Sequence, residues 1–255
     1  ADGCTFFANA FTGVGANQGG ALFAQDVDTL IITNSTFTSN TLAGGNGMAL
    51  SLSGAGRFVV TDSRIVANRP GMADAIYINP SGSIELRNTV IAAGNQRGII
   101  RTGIGGTVGL TNCLIYGMAS HGIQAIMGML ALGNCTIVGN TGWGVTNSSA
   151  VVTLVNSIVW SNAFGGLTTN CATAFCTLQD PIPGNGNKFG NPRFIGAATN
   201  NYRLALGSPC ANEGSNEAWM AAAFDLDGRK RLVGGRVDMG AYESNSGTAT
   251  ILFVR

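Results

Sequence analysis

The chain has 255 residues, of which 11% are charged, and a formal net charge of +1. That balance excludes a nucleic-acid face, which needs clustered Lys and Arg. No apolar run approaches the roughly 20 residues of a membrane-spanning helix. The 38 glycines are about twice the usual share, so the chain turns often.

A partial motif, Gly3-Cys-Thr-Phe-Phe-Ala-Asn9, opens the chain. Full copies begin at Asn34, Asp62, Asn88, Asn112, Asn134 and Asn156, with intervals of 28, 26, 24, 22 and 22 residues. Each period carries three short β-prone runs. The motif supplies the first, as in Thr136-Ile-Val138. A second follows a Gly- or Ala-led bend, as in Gly47-Met-Ala-Leu50, Ala75-Ile-Tyr-Ile78 and Gly122-Ile-Gln-Ala125. The third precedes the next Asn, as in Leu30-Ile-Ile-Thr33, Ile84-Glu-Leu-Arg87 and Val151-Val-Thr-Leu-Val155. Runs this short are strands, and their alternation gives one inward and one outward face.

A repeated three-strand unit predicts an all-β chain, a right-handed single-stranded parallel β-helix. About seven coils of 22–28 residues should fill residues 1–170. The interior should hold Phe37, Ile65, Ile137, Ile158, Ile76, Ile123, Val145, Leu30, Val59, Leu86, Leu110, Leu132 and Leu154. The Asn34, Asp62, Asn88, Asn112, Asn134, Asn156 column marks a left-handed corner, because Asn and Asp tolerate that backbone. The next column, Ser35, Ser63, Thr89, Cys113, Cys135 and Ser157, is small throughout, which suits a tight corner better than catalysis. Cys113 and Cys135 fall one coil apart, within reach of a disulfide; a reduced pair is equally consistent.

After Asn170 the pattern changes. A module over 171–247, expected to be β-rich and packed on the end of the helix, contains Asn191-Pro-Arg-Phe, Tyr202-Arg-Leu-Ala-Leu-Gly-Ser-Pro-Cys210 and Phe224-Asp-Leu-Asp-Gly228 followed by Val237-Asp-Met-Gly-Ala-Tyr-Glu243. These words, in this order, resemble the ending of secreted bacterial β-helix proteins of the choice-of-anchor Q type. The upstream repeats resemble the wider pectate-lyase-like superfamily. The resemblance implies an extracellular or cell-surface protein. It also implies a disulfide between Cys176 and Cys210, with Cys171 as the alternative to Cys176. Asp225 and Asp227, two apart before a Gly, invite a calcium reading beside the plainer one of a turn fixed by Asp side chains. Otherwise no cofactor is expected.

Carboxylates within the repeats are sparse: Asp26, Asp28, Asp62, Asp74 and Glu85, with no evident acid–base pair. His121 stands at the turn position that Arg97 occupies one coil earlier and Trp143 one coil later. Arg97 and Arg101 flank a strand and could line one face with Tyr77 as a glycan-binding strip, or simply be solvated. No catalytic residue is assigned. The expected function is an extracellular structural or adhesive β-helix without catalysis. The alternative is a polysaccharide lyase, glycoside hydrolase or glycan-binding module. The tail 248–255 is β-prone, and Thr250, Ile251, Leu252, Phe253 and Val254 are expected to add as a strand to a second copy, joining subunits head-to-tail into a filament.

Overall fold

The computed structural model describes residues 1–12, 19–43, 45–69, 71 and 73–244. The chain winds as a solenoid with three parallel sheets. Sheet A has nine strands, from Thr5–Phe7 through Thr36–Thr38, Arg64–Val66, Val90–Ala92, Leu114–Tyr116, Thr136–Val138 and Ile158–Trp160 to Thr177–Leu178 and Lys188–Phe189. Sheet B has seven, running from Leu22–Gln25 to Gly165–Leu167, and sheet C seven, from Thr29–Thr33 to Cys171–Ala174. Every pairing within these sheets is parallel, and each copy of the motif pairs in register with the next, as Ile115 with Ile137 and Leu110 with Leu132. Stacking continues beyond Asn170, because Cys171–Ala174 pairs with Val151–Val155 and Thr177–Leu178 with Ile158–Trp160.

The Asn column turns the chain from sheet C into sheet A. All six members, Asn34, Asp62, Asn88, Asn112, Asn134 and Asn156, have φ between 47° and 53°. In the column after it each side chain turns back to the carbonyl two residues earlier. Ser35 Oγ donates to Thr33 O at 2.7 Å, Ser157 Oγ to Val155 O at 2.9 Å, and Cys135 Sγ to Gly133 O at 3.4 Å. A second amide ladder runs inside the coil: Asn40 Nδ2 donates to Asn68 Oδ1 at 2.8 Å and Asn140 Nδ2 to Asn162 Oδ1 at 2.8 Å. It breaks between these pairs because two coils lack the amide at that position. The extra Gly94 carries Asn95 out of step, to the carbonyl of Gly71, and Met118 takes the place in the next coil, where its backbone N–H donates to Asn140 Oδ1 at 3.0 Å.

The core fills as the alternation requires. Phe37, Ile65, Ile76, Leu86, Leu110, Ile123, Leu132, Ile137, Val145 and Leu154 are all buried in one cluster, with Leu30 half-buried against it. Two expected interior residues face outward. Val59 pairs with Ile31 and Glu85, the outer column of sheet C, whereas its neighbours Phe58 and Val60 point in. Ile158 lies beneath the C-terminal module, and Val159 takes the interior place. At the bend into sheet B the coil has no room for a side chain. A Cβ on Gly122 would stand 2.6 Å from Ile137 Cγ2 and 2.7 Å from Gly144 O, which is why the second run of each late copy begins with Gly.

The interval shrinks mainly at the turn between sheets A and B. In its last step, from 24 to 22 residues, it shrinks at the turn between sheets B and C, which takes nine residues from Ile99 to Val108 but seven from Ile123 to Leu130. The chain runs from Phe37 to Leu50, from Ile65 to Ile76, and then only from Ile91 to Ile99 and Ile115 to Ile123 between successive inward positions of sheets A and B. The surplus residues of the early coils form a small wall of their own. There Ala10–Phe11 pairs with Thr41–Leu42, and Phe11, Leu42, Met48 and Ala73 pack together.

The module corrects two expectations. Of the residues expected in it, 171–189 still stack on the solenoid through Cys171–Ala174, Thr177–Leu178 and Lys188–Phe189. Past them, among the described residues, it holds one antiparallel pair, Phe194–Gly196 with Asn201–Leu204, an isolated bridge between Phe224 and Lys230, and two short 3-10 turns, Ala197–Thr199 and Ala218–Ala222. This later part does not cap the end of the solenoid; it lies along the flank, over the outer face of sheet A. Val90, Ala92, Leu114 and Val138 pack against Tyr202, Ala241 and Tyr242, and Ile158 against Leu204, Cys210 and Met239. The Asn corner then holds its backbone. Asn112 Nδ2 donates to Phe224 O at 2.8 Å, Asn134 Nδ2 to Asp238 O at 3.2 Å, and Asn156 Nδ2 to Ser215 O at 2.9 Å. The tail expected to act as a donor strand, Thr250–Val254, lies outside the described residues.

Candidate functional site

With the later strands of sheet A covered by the module, the outer faces of sheets B and C stay open. That of sheet C mixes Arg57, Glu85 and Arg87 with exposed Ile31, Met129 and Val151, and that of sheet B carries uncharged polar groups. Its outward columns come from alternate residues of each second run. One column carries Phe23, Ser51, Tyr77, Ile100, Gln124 and Thr146 in register, of which Phe23 is exposed and Ser51, Tyr77 and Ile100 are buried. The other carries Gln25, Ser53 and Asn79, and Thr102 follows in the next coil. Hydroxyls and carboxamides dominate, and Thr102 Oγ1 donates to Tyr77 Oη at 3.1 Å. At the strand ends a polar cleft of about 320 Å³ opens between Gln25, Ser53, Asn79 and Ile104.

The opposite edge of sheet B carries a line of different chemistry, one residue per coil: Asp74, Arg97, His121, Trp143. Asp74 is buried, and Arg97 grips it with two bonds, Nε to Oδ1 at 2.6 Å and Nη2 to Oδ2 at 3.0 Å. The third guanidinium nitrogen, Nη1, donates to Gln124 Oε1 on the sheet face. His121 Nδ1 accepts the backbone N–H of Trp143 at 2.9 Å, which places the proton of the neutral ring on Nε2. Burial, with Arg97 nearby, lowers the His121 pKa, so the ring is a neutral donor at physiological pH. The Trp143 ring lies over Gly165, where a Cβ would come within 2.3 Å of it.

The expected strip of Arg97, Arg101 and Tyr77 is thus corrected at one member. Arg97 and Tyr77 share the face, but Arg101 points into the coil and has no exposed surface. Its guanidinium is saturated by carbonyls: Nε reaches Met129 O at 3.1 Å, Nη2 reaches Gly105 O at 2.8 Å and Gly106 O at 3.1 Å, and Nη1 reaches Gly103 O and Met127 O. Arg101 is a clamp on two turns.

The cysteines are all free thiols. Cys176 belongs to the small corner column, its Sγ donating to Ala174 O at 3.3 Å inside the coil, and burial pushes its pKa up to about 12. Cys210 lies on the other side of sheet A, its Sγ 3.2 Å from Thr177 Oγ1. The sheet wall therefore separates the expected pair. Cys171, the alternative, is half-buried on sheet C with its thiol pKa raised to about 11 by burial. Cys113 and Cys135 share the column as expected, each bonded to its own carbonyl, at Thr111 and Gly133.

The calcium candidates are already engaged. Asp225 Oδ1 accepts the N–H groups of Asp227 at 2.9 Å and Arg229 at 2.8 Å, and Oδ2 that of Glu243 at 2.7 Å. Asp227 pairs with Arg203 at 2.6 Å. Both carboxylates serve the module's turn, and among the described residues no group of three or more His, Cys, Asp or Glu could hold a metal ion.

The model of the family described as right handed beta helix region matches residues 20–179. The chain belongs to this family. No curated protein matches the chain. A solved structure similar to it is titled "Crystal structure of pectate lyase Pel9A", at 11% identity and a TM-score of 0.40, over 84% of this chain and 73% of that one.

Proposed function

We propose that this β-helix is an extracellular adhesive protein that binds a polysaccharide along the outer face of sheet B and does not cleave it. The observation that carries this reading is the composition of that face: Gln25, Ser53, Asn79, Thr102, Gln124 and Thr146 offer hydroxyl and amide groups in axial rows, with Arg97 and the His121 ring at their edge. Such groups match the hydroxyls of a sugar chain lying across successive coils. The carboxylates near the face support binding over cleavage. Asp26 follows the strand Leu22–Gln25 and Asp74 precedes Ile76–Pro80, two strand steps away and at the other strand end. That is about 10 Å along the axis alone, beyond the carboxylate separations glycosidases use. Both oxygens of Asp74 are held by Arg97.

A polysaccharide array, followed by the double variant Asn79→Ala/Gln124→Ala, tests the proposal. Binding to one class of polysaccharide, weakened at least tenfold in the double variant, is the expected result. Binding that the variant leaves unchanged would place the ligand elsewhere.

A further inference from the structure

A second opening lies on the far side of the coil. The Asn corner joins sheets C and A, opposite sheet B, and there a cleft of about 440 Å³ separates the module from the coils. That volume falls in the range of small-molecule sites. The module side presents two aromatic rings, Trp219 at 39% and Phe224 at 50% exposure. The coil side presents Arg87 and Asn88, with Asn112 buried behind them. We infer that this cleft is a saccharide site, separate from the face of sheet B, in which a pyranose ring stacks on Trp219 and Phe224 while its hydroxyls bond Arg87 and Asn88, with the buried Asn112 holding Asn88 and the Phe224 carbonyl in place.

The two walls suit the two faces of a sugar. A pyranose has an apolar C–H face, which an aromatic ring covers well, and a polar rim that wants a fork of donors and a carboxamide. Both walls are held in place before any ligand arrives, which lowers the cost of binding. Trp219 Nε1 donates to Glu217 Oε2 at 2.8 Å, fixing the indole. The Phe224 carbonyl accepts Asn112 Nδ2 at 2.8 Å, and Asn112 Nδ2 also reaches Asn88 Oδ1 at 3.1 Å. Arg87 is oriented by Glu85 at 2.9 Å. A flat aromatic ligand would use the rings and leave the polar wall idle. With a glycan chain on sheet B and a sugar here, one molecule could bridge two polysaccharide strands, and bridging raises avidity without new contacts.

The chain has three tryptophans, so the indole N–H signals of a ¹⁵N-labelled sample are few enough to assign. Titration with methyl β-D-glucopyranoside and methyl β-D-galactopyranoside should shift the Trp219 indole signal saturably. Phe224→Ala, which removes a half-exposed ring, should weaken that response about tenfold. Asn79→Ala/Gln124→Ala should leave the Trp219 response intact, which separates this site from the one on sheet B. No shift with either glycoside, an unchanged response in Phe224→Ala, or a response to free indole alone would overturn the inference.

Discussion

Arg101 shows how a single residue can hold a coil together. Its charge is buried without a carboxylate, so carbonyl oxygens carry the whole load of solvating it. Replacing it with Met leaves those turn carbonyls without donors, and the loss should be about 3 kcal/mol or more in urea denaturation. Arg101→Lys should recover little of it, since an ammonium lacks the planar fork that reaches two turns at once; full recovery would show that only the charge matters. Glycine makes a complementary point. Gly122→Ala should cost about 1–3 kcal/mol, because its Cβ would meet Ile137 Cγ2 and Gly144 O. Gly109→Ala, where nothing lies within 4 Å, should be neutral or slightly stabilising in the same measurement. Equal effects at the two sites would contradict the packing described for the bend.

At the scale of elements, the flank of sheet A decides where the module goes. Its outward residues change from Thr36, Thr38 and Arg64 in the early coils to Val90, Leu114, Val138 and Ile158 in the later ones. A run apolar at every position, such as Val90-Ile91-Ala92, has both faces buried. This signal was present in the sequence, yet the repeat alignment directs attention to shared positions and hides the trend along them. Leu114→Asp should detach the module while the coils stay folded, so limited proteolysis should trim the C-terminal region and spare the rest. Ile115→Asp, one residue on but inside the coil, should unfold both. The module's own interior is polar. Arg231 and Glu243 are buried together, 3.2 Å apart, and burial pushes the Glu243 carboxyl up to about 8 against the pull of Arg231. A native pKa above the ordinary 4.5 means that the folded state holds the extra proton between those values. Stability should therefore fall as pH rises from about 4.5 to about 8 and level off above. The lowered pKa of His121 acts in the opposite direction near its ordinary value, so the contrast to measure is wild type against Glu243→Gln. The variant should lose the downward slope; an unchanged slope would mean that Glu243 is ionised throughout.

At the scale of the whole molecule, the period was enough for the architecture because each copy repeats the same inward residues at the same corners. Ile65, Ile91, Ile115 and Ile137 occupy one column, and Asn or Asp opens each copy. The candidate site was harder to see for the opposite reason: function along a solenoid sits in columns whose members differ. Arg97, His121 and Trp143 could be aligned from the sequence, but the grip of Arg97 on Asp74 and the inward turn of Arg101 depend on side-chain geometry that no spacing shows. The reach from the array's polysaccharide to a function rests on one question, whether the bound chain stays whole. Incubation of the protein with that polysaccharide, followed over time by size-exclusion chromatography with light scattering, answers it directly. The account predicts a stable complex and an unchanged polymer mass. Progressive shortening of the polymer at many cuts per protein molecule would contradict it and make the face of sheet B an active site.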